Sequence, residues 1–253
     1  MNILKALFKS SIGKKVIMAV TGLILFGFVI GHLVGNLQIF SPPEKINAYA
    51  HLLQSLGPAL WAIRAFLLLS VGLHIWMAVL LVLENRAARP KSFAKQRTLK
   101  ASYASRTMRY SGLIVLAFLV YHILHFTTKS THGAEAYPMT LLHGESVIDV
   151  HSMMVLGFQN QLVAIFYLVA IALLSWHLSH GFSSMFQSIG IRSRAMSKCL
   201  NRLALVISIL YFLGNAAIVT AVMSGCVKVQ NPNIATACPI GDCVVCESKT
   251  ANN

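Results

Sequence analysis

Long apolar runs separated by short polar segments dominate the chain. Five runs, at about residues 16–36, 59–83, 110–128, 161–182 and 203–224, each approach the roughly 20 residues that a helical membrane crossing needs. Only helices and closed barrels satisfy their backbone polar groups in lipid, and these runs are too long for barrel strands. The pattern therefore predicts an all-α, polytopic membrane protein with five transmembrane helices in a bundle.

Composition and charge agree with this pattern. The 253 residues are 56% hydrophobic and 11% charged, with a mean hydropathy of +0.68, whereas a soluble chain carries about 25% charged residues. The net charge of +14 comes from Lys and Arg clusters before the first run, between the second and third, and between the fourth and fifth. The positive-inside rule accounts for this spacing better than nucleic-acid binding does. We expect a cytoplasmic N-terminus, an extracytoplasmic C-terminus and no cleaved signal.

Histidines occur within the first four runs, where an ionisable side chain is costly and is a functional candidate. At about 1.5 Å per residue, His32 and His122 share an outer level, and His74 and His177 share an inner level about 15 Å away. Each pair comes from two helices of the same direction, as axial ligation of a haem by two imidazoles requires. The bundle is therefore predicted to hold two haems. Hydrogen bonding between helices is the alternative for any single histidine.

Small residues accompany these histidines. Gly27, Gly31 and Gly35 recur every fourth residue, and close helix packing is favoured for them over contact with a macrocycle. Gly181 follows His177 by one turn and could make room for the edge of a ring. The sequence shows no internal repeat.

Motifs across about residues 8–225 resemble one known family. They are "GHLVGNLQIF" followed by "NAYAHLLQS", "LHIWMAVLLVLENRAARP", "RYSGLIVLAFLVYHILHF" and "WHLSHGF". The chain resembles the cytochrome b membrane-anchor subunit of succinate dehydrogenase and fumarate reductase, in its single-chain, five-helix, two-haem form. The resemblance implies that His32 and His122 ligate the outer haem b, and that His74 and His177 ligate the inner one.

The resemblance also implies partners and chemistry. A flavoprotein subunit and an iron–sulfur subunit should dock on the cytoplasmic face of a bacterial inner membrane. Electrons should pass between them and a membrane quinone, menaquinone in preference to ubiquinone, through two haem b groups. The chain would be the quinone-reactive subunit of this enzyme and would hold no succinate or fumarate active site. The direction of flux stays open.

Two positions depart from the family pattern. Ser175 stands where some fumarate reductases have a glutamate proposed for proton transfer, and Gln54 stands where relatives have a carboxylate near the outer quinone site. On a helix, Asn47, His51 and Gln54 share one face, and this face is the predicted quinone site, with His51 able to exchange protons. A polar helix face in contact with water is the alternative.

Three basic side chains are candidates for contacts with haem propionates. His125 and His180 each follow a predicted ligand by three residues, and Arg64 lies near the outer end of the second run. Interfacial hydration of the histidines and snorkelling of the arginine are the alternatives.

The segment after the fifth run, residues 226–253, is predicted to be an extracytoplasmic tail outside the transmembrane domain, 1–225. It carries Cys226, Cys238, Cys243 and Cys246, for which disulfides are favoured over an iron–sulfur site. Cys199, between the fourth and fifth runs, is expected to be cytoplasmic and free.

Two other functions compete with a succinate:quinone oxidoreductase anchor. The cytochrome b subunit of a formate dehydrogenase or hydrogenase also holds two haems, but it usually has four helices. The histidine pattern fits a non-redox metal transporter less well, because metal-transport sites usually add carboxylates or thiols to the histidines.

Overall fold

A computed structural model describes residues 7–88, 103–131, 133 and 137–231. Its principal helices are α1 (Ser11–Asn36), α2 (Pro43–Ser55), α3 (Pro58–Ala87), α4 (Tyr103–His122), α5 (Val150–Gln159), α6 (Gln161–Ser188) and α7 (Arg194–Met223). Among the described residues, five helices are long and apolar enough to cross a membrane: α1, α3, α4, α6 and α7. The predicted number of spans is confirmed, and the five candidate spans indicate a multi-pass membrane protein.

Sequence signals mark the starts of the long helices. The backbone N–H of Gly13 donates to the side chain of Ser10 before α1, and the N–H of Met196 donates to Ser193 before α7. Asn160 caps α6 in the same way, while α3 begins at Pro58. Ser and Asn stabilise the first turn of a helix because their side chains accept hydrogen bonds from its free N–H groups. Pro suits the same turn because it has no N–H group to satisfy.

The long helices alternate in direction. The start of α1 meets the end of α3, where the Lys14 ammonium pairs with the Glu84 carboxylate and the Ser11 hydroxyl donates to the same carboxylate at 3.2 Å. The described Lys and Arg residues at this end, which we call the basic end, are Lys9, Lys14, Lys15, Arg86, Arg106, Arg109, Arg192, Lys198 and Arg202. The predicted charge asymmetry between the two ends is therefore present in the fold.

A cap covers the opposite end of the bundle. It consists of the 3₁₀ turn Leu37–Phe40, α2, strands β1 (Met139–Leu142) and β2 (Glu145–Ile148), α5, and residues 226–231. The Asp149 carboxylate is the centre of its polar contacts. It accepts hydrogen bonds from Asn47 at 3.0 Å, from the Ser152 hydroxyl at 2.7 Å and from Asn231 at 2.9 Å. These bonds tie α2, α5 and the start of the tail together.

The hairpin in the cap departs from the predicted all-α fold. β1 and β2 pair antiparallel through a turn in which His143 and Gly144 both have positive φ, of 51° and 86°. This is the backbone that a two-residue hairpin turn favours. Strands of four residues are too short for an alternating pattern to identify them, so sequence inspection missed them.

The buried core lies between α1, α4, α6 and α7, toward the cap. Its members include Leu33, Phe118, Ala164, Tyr167, Tyr211 and Val219. The outer faces of the long helices carry exposed large apolar side chains, such as Leu69, Leu113 and Leu210. A lipid environment would cover such faces.

Candidate cofactor sites within the helix bundle

The structure brings the four predicted ligands together in the two predicted pairs. Ring centroids lie 5.8 Å apart for His32 and His122 and 6.5 Å apart for His74 and His177. An imidazole nitrogen binds a transition metal at about 2 Å, and the ring centre lies about 1 Å further, so two imidazoles on one metal have centroids roughly 6 Å apart. Both pairs therefore have the spacing of axial ligands to a single metal ion.

Each pair faces across the bundle from helices that are not neighbours. α1 packs on α3 and α6, and α4 packs on α6. Within the described residues, neither α1 and α4 nor α3 and α6 form a packed pair. A flat macrocycle between two axial imidazoles needs helices that are held apart in this way.

Contacts between helices give the separation of the two levels. The His74 ring contacts Thr21, which precedes His32 on the same helix by 11 residues. The His177 ring contacts Ser111, which precedes His122 by 11 residues. At about 1.5 Å per residue the pairs lie about 16 Å apart along the bundle, with the His74 pair nearer the basic end.

Hydrogen bonds orient both imidazoles of the inner pair through Nδ1. His74 Nδ1 lies 3.1 Å from the Met18 carbonyl oxygen and 3.3 Å from Thr21 Oγ1. His177 Nδ1 lies 3.3 Å from Ser111 Oγ. Because a carbonyl can only accept, His74 Nδ1 carries the proton, and Nε2 keeps the lone pair that a metal binds.

Sequence inspection missed these supporting residues, although the chain carries a signal for them. Residues 21–32 read "TGLILFGFVIGH" and residues 111–122 read "SGLIVLAFLVYH". Both segments place a hydroxyl residue 11 positions before a histidine of the outer pair, and the hydroxyl contacts a histidine of the inner pair. Sequence inspection did not identify this similarity, because it is short and its apolar positions vary.

The glycine at the second position of each segment lies against an imidazole of the inner pair. A Cβ added to Gly22 would lie 3.2 Å from His74 Cε1, and one added to Gly112 would lie 3.6 Å from His177 Cε1. The first distance is shorter than most real Cβ contacts, so glycine lets α1 and the His74 ring approach closely.

A π-helical turn, Ile123–Thr127, follows His122 of the outer pair. It places His125 in the interior, where the residue is 2% exposed. His125 Nδ1 lies 3.0 Å from Tyr167 Oη, and His122 Nδ1 lies 3.3 Å from the same hydroxyl. His125 is therefore buried below the cap, where it contacts the Tyr167 hydroxyl, and it does not lie at a polar surface. Its contact with a haem propionate stays a prediction.

The glycines predicted to pack helices closely do so at one position of three. A Cβ on Gly35 would lie 2.9 Å from Tyr49 Cε1, which is close packing. A Cβ on Gly27 or Gly31 would meet no atom of the described residues within 4 Å, and the same holds for Gly181. The packing interpretation was therefore wrong for Gly27 and Gly31, because no described part of a second helix approaches them. The open space at Gly31 adjoins His32, where a ring edge would need it.

The remaining basic candidates have partners within the protein. The Arg64 guanidinium lies 4.9 Å from the centre of the Trp61 ring, and His180 Nε2 lies 3.0 Å from Ser184 Oγ. The Ser175 hydroxyl donates to the Ile171 carbonyl at 2.8 Å. Arg64 precedes His74 by ten residues, or about 15 Å, which puts it near the outer level.

The predicted quinone residues lie on α2 in different surroundings. Asn47 is buried, and its two amide atoms bond Asp149 and the backbone N–H of His151 at 3.0 and 3.1 Å. The His51 ring lies 3.3 Å from the exposed Glu145 carboxylate, and Gln54 is exposed at the last turn. The structure therefore does not present the three side chains on one open surface.

Two of the five cysteines lie within the described residues. Cys199 and Cys226 are exposed, and neither forms a disulfide within the described part of the chain. Cys238, Cys243 and Cys246 lie outside the described residues, so the disulfide interpretation stays a prediction.

The donor groups of both sites fit a haem that is ligated by two histidines. Each supplies two imidazoles at axial spacing. The described residues contain no group of three or more His, Cys, Asp or Glu side chains placed to hold a metal ion.

Comparisons with protein-family models, curated proteins and solved structures gave no match.

Proposed function

We propose that this chain is the membrane-anchor cytochrome b subunit of a succinate:quinone oxidoreductase and holds two haem b groups. The observation that carries the proposal is the pairing of four histidines across the bundle, at 5.8 and 6.5 Å between ring centroids. The family motifs around these histidines supply the assignment to succinate dehydrogenase or fumarate reductase.

The ligands divide between the two levels. His74 and His177 would hold the haem nearer the basic end, and His32 and His122 the haem nearer the cap. Haem b, when bound, would supply one-electron transfer. The bond from His74 Nδ1 to the Met18 carbonyl fixes the tautomer with Nε2 unprotonated and makes the ligand more basic.

The two ends of the bundle would have different partners. In our proposal the basic end faces the cytoplasm of a bacterium and docks the iron–sulfur subunit and, through it, the flavoprotein subunit. The cap lies on the extracytoplasmic side, so the N-terminus is cytoplasmic and the C-terminus extracytoplasmic. Quinone would react near the cap, beside the outer pair.

Ligand replacement tests the haem assignment. We expect His74→Ala and His177→Ala each to remove the inner haem, and His32→Ala and His122→Ala each to remove the outer one, because each iron loses an axial ligand. Reduced-minus-oxidised spectra and redox titrations of the purified protein measure this. A His74→Ala protein with two low-spin, six-coordinate haems would contradict it.

Co-purification tests the partner assignment. A tagged chain isolated from its native membrane should bring a flavoprotein and an iron–sulfur protein with succinate–dye oxidoreductase activity. A molybdenum or nickel–iron subunit instead would identify the formate dehydrogenase or hydrogenase class. If the isolated chain contains no haem, the metal transporter becomes the leading alternative.

A further inference from the structure

One histidine of the cap is buried without a hydrogen bond to any described residue. His151, on the first turn of α5, is 1% exposed, and neither of its ring nitrogens has such a partner. The Ile39 carbonyl approaches the ring without meeting hydrogen-bond geometry. An unsatisfied buried imidazole is costly, so this group points to a ligand that would satisfy it.

A cysteine lines the same cavity as this histidine. The cavity is bounded by His151, Cys226 and, among others, the apolar side chains of Ile39 and Val227. Cys226 is exposed and forms no disulfide within the described residues, so an ion could reach the cavity from solvent. Ser224 Oγ lies 3.3 Å from Cys226 Sγ. A hydroxyl thus contacts the sulfur, as polar groups commonly contact the side chains that ligate metals.

Contacts within the cap bring these two residues to one place. Cys226 follows the end of α7, and Asn231, five residues later, donates to Asp149 Oδ2 at 2.9 Å. Asp149 precedes His151 by two residues. Asn231 also donates to the Met139 carbonyl at 3.1 Å, which ties the segment to β1. Residues 226–231 therefore run from α7 to the start of α5, where His151 lies.

The donor atoms and the charge of the cavity favour one class of ion. Thiolate sulfur selects soft ions such as Cu⁺ and Zn²⁺, and imidazole also suits copper and zinc. Structural Zn²⁺ sites hold four ligands, and the other polar side chains here are only those of Ser41 and Gln230. Cu⁺ accepts fewer ligands. One thiolate also neutralises its single charge, which suits a cavity whose walls carry no formal charge.

We propose that His151 and Cys226 bind a Cu⁺ ion in this cavity. One ring nitrogen of His151 ligates the ion, and the other can then donate its N–H to the Ile39 carbonyl. Binding releases the thiol proton to solvent, because the thiolate is the ligand. The inference does not rest on the proposed function, since neither haem nor quinone takes part in this site.

Copper titration of the purified full-length protein tests the site. Cu⁺ is supplied without oxygen, in competition with a chromogenic Cu⁺ chelator, and the bound ion is counted per chain. The parent protein for all measurements carries serine in place of Cys238, Cys243 and Cys246, because those thiols would also bind Cu⁺. We expect one Cu⁺ per chain at the proposed site. Any copper held by the histidines of the helix bundle is common to all variants and does not affect their comparison.

Substitutions in this parent test the two ligands. Cys226→Ser and His151→Gln should each weaken Cu⁺ binding at least about 100-fold, since loss of a group that merely supports a metal ligand already costs about 10–100-fold. The matched controls are Cys199→Ser, at the other described cysteine, and His143→Asn, at an exposed turn with positive φ that asparagine tolerates. Both should bind Cu⁺ as the parent does. A Cys226→Ser or His151→Gln protein with the affinity of the controls would overturn the proposal.

Two further measurements do not depend on how the variants fold. X-ray absorption at the copper edge of the parent protein should show one sulfur and one imidazole nitrogen bound to Cu⁺, and coordination without sulfur would contradict the proposal. Differential alkylation of the unsubstituted protein, read by mass spectrometry, should find Cys226 as a thiol that Cu⁺ protects from the reagent. Cys226 in a disulfide, or protection by Zn²⁺ in preference to Cu⁺, would overturn the assignment.

Discussion

Replacing one carboxylate should open the cap. Asp149 is 2% exposed. Its Oδ1 accepts from Asn47 Nδ2 and the Ser152 N–H, each at 3.0 Å, and its Oδ2 accepts from the Ser152 hydroxyl and from Asn231. Asp149→Asn keeps the shape of the side chain but turns one acceptor oxygen into an NH₂ donor. Two accepted bonds are then lost, or one if the Ser152 hydroxyl rotates to accept.

The magnitude follows from the number of bonds. Hydrogen bonds to a charged group contribute about 1.5–3 kcal/mol each, so the local opening free energy of the cap should fall by about 2–5 kcal/mol. This corresponds to a roughly 30-fold to several-thousand-fold loss of protection. Amide hydrogen exchange over α2, the hairpin and α5 measures such local opening.

The hairpin supplies a matched control. Glu145 is a second carboxylate of the cap, but it is 72% exposed and pairs with His51 at 3.3 Å. An exposed ion pair contributes about 0–1 kcal/mol, so Glu145→Gln should change protection little. If Asp149→Asn and Glu145→Gln have the same effect on exchange, the Asp149 cluster does not hold the cap.

The same carboxylate gives the cap a pH dependence. Burial raises the pKa of Asp149, but the bonds from Ser152, Asn231 and Asn47 outweigh it, and the net pKa lies below its usual value. A depressed pKa contributes stability that is complete above the unfolded value of about 3.9 and is lost as pH falls through the folded value. The difference between wild type and Asp149→Asn in limited proteolysis of the cap should therefore be full at pH 6 and shrink below about pH 4. A difference that persists to pH 2 would contradict this.

Further substitutions probe the surroundings of the histidine pairs. Tyr167→Phe removes the hydroxyl shared by His122 and His125, so we expect a loss of about 1–3 kcal/mol of stability and an altered electron paramagnetic resonance signal from the outer haem alone. Arg64→Leu should lower the midpoint potential of the outer haem, since it removes a positive charge near that level; an unchanged redox titration would leave Arg64 as an interfacial anchor on Trp61. Gly31→Leu should fill the space beside His32 and reduce outer-haem content in a pyridine haemochrome assay; full content would show that this space faces lipid.

The helical spans and the histidine pairing were predictable because both depend on simple periodicity. Run length alone identifies a span, and a constant rise per residue places each histidine at a depth. His74 and His177 therefore reach one level without knowledge of which helices touch. The non-neighbouring placement of α1 and α4 and of α3 and α6 was not predictable, because it depends on side-chain packing across the whole bundle.

The cap was the part that sequence patterns did not reveal. Its hairpin strands have four residues each, and its contacts join positions far apart in the chain, such as Asn47 and Asp149. The π-helical turn also turns His125 inward, although regular helical geometry would bring it one turn nearer the membrane surface.

Haem stoichiometry is the most direct test of the central proposal. A pyridine haemochrome assay of the purified chain, with protein quantified by amino-acid analysis, should give two haem b per polypeptide. The value should fall to one in both His74→Ala and His122→Ala, with loss of different spectral components. A wild-type protein without haem b, or with a single haem that survives both substitutions, would contradict the proposal.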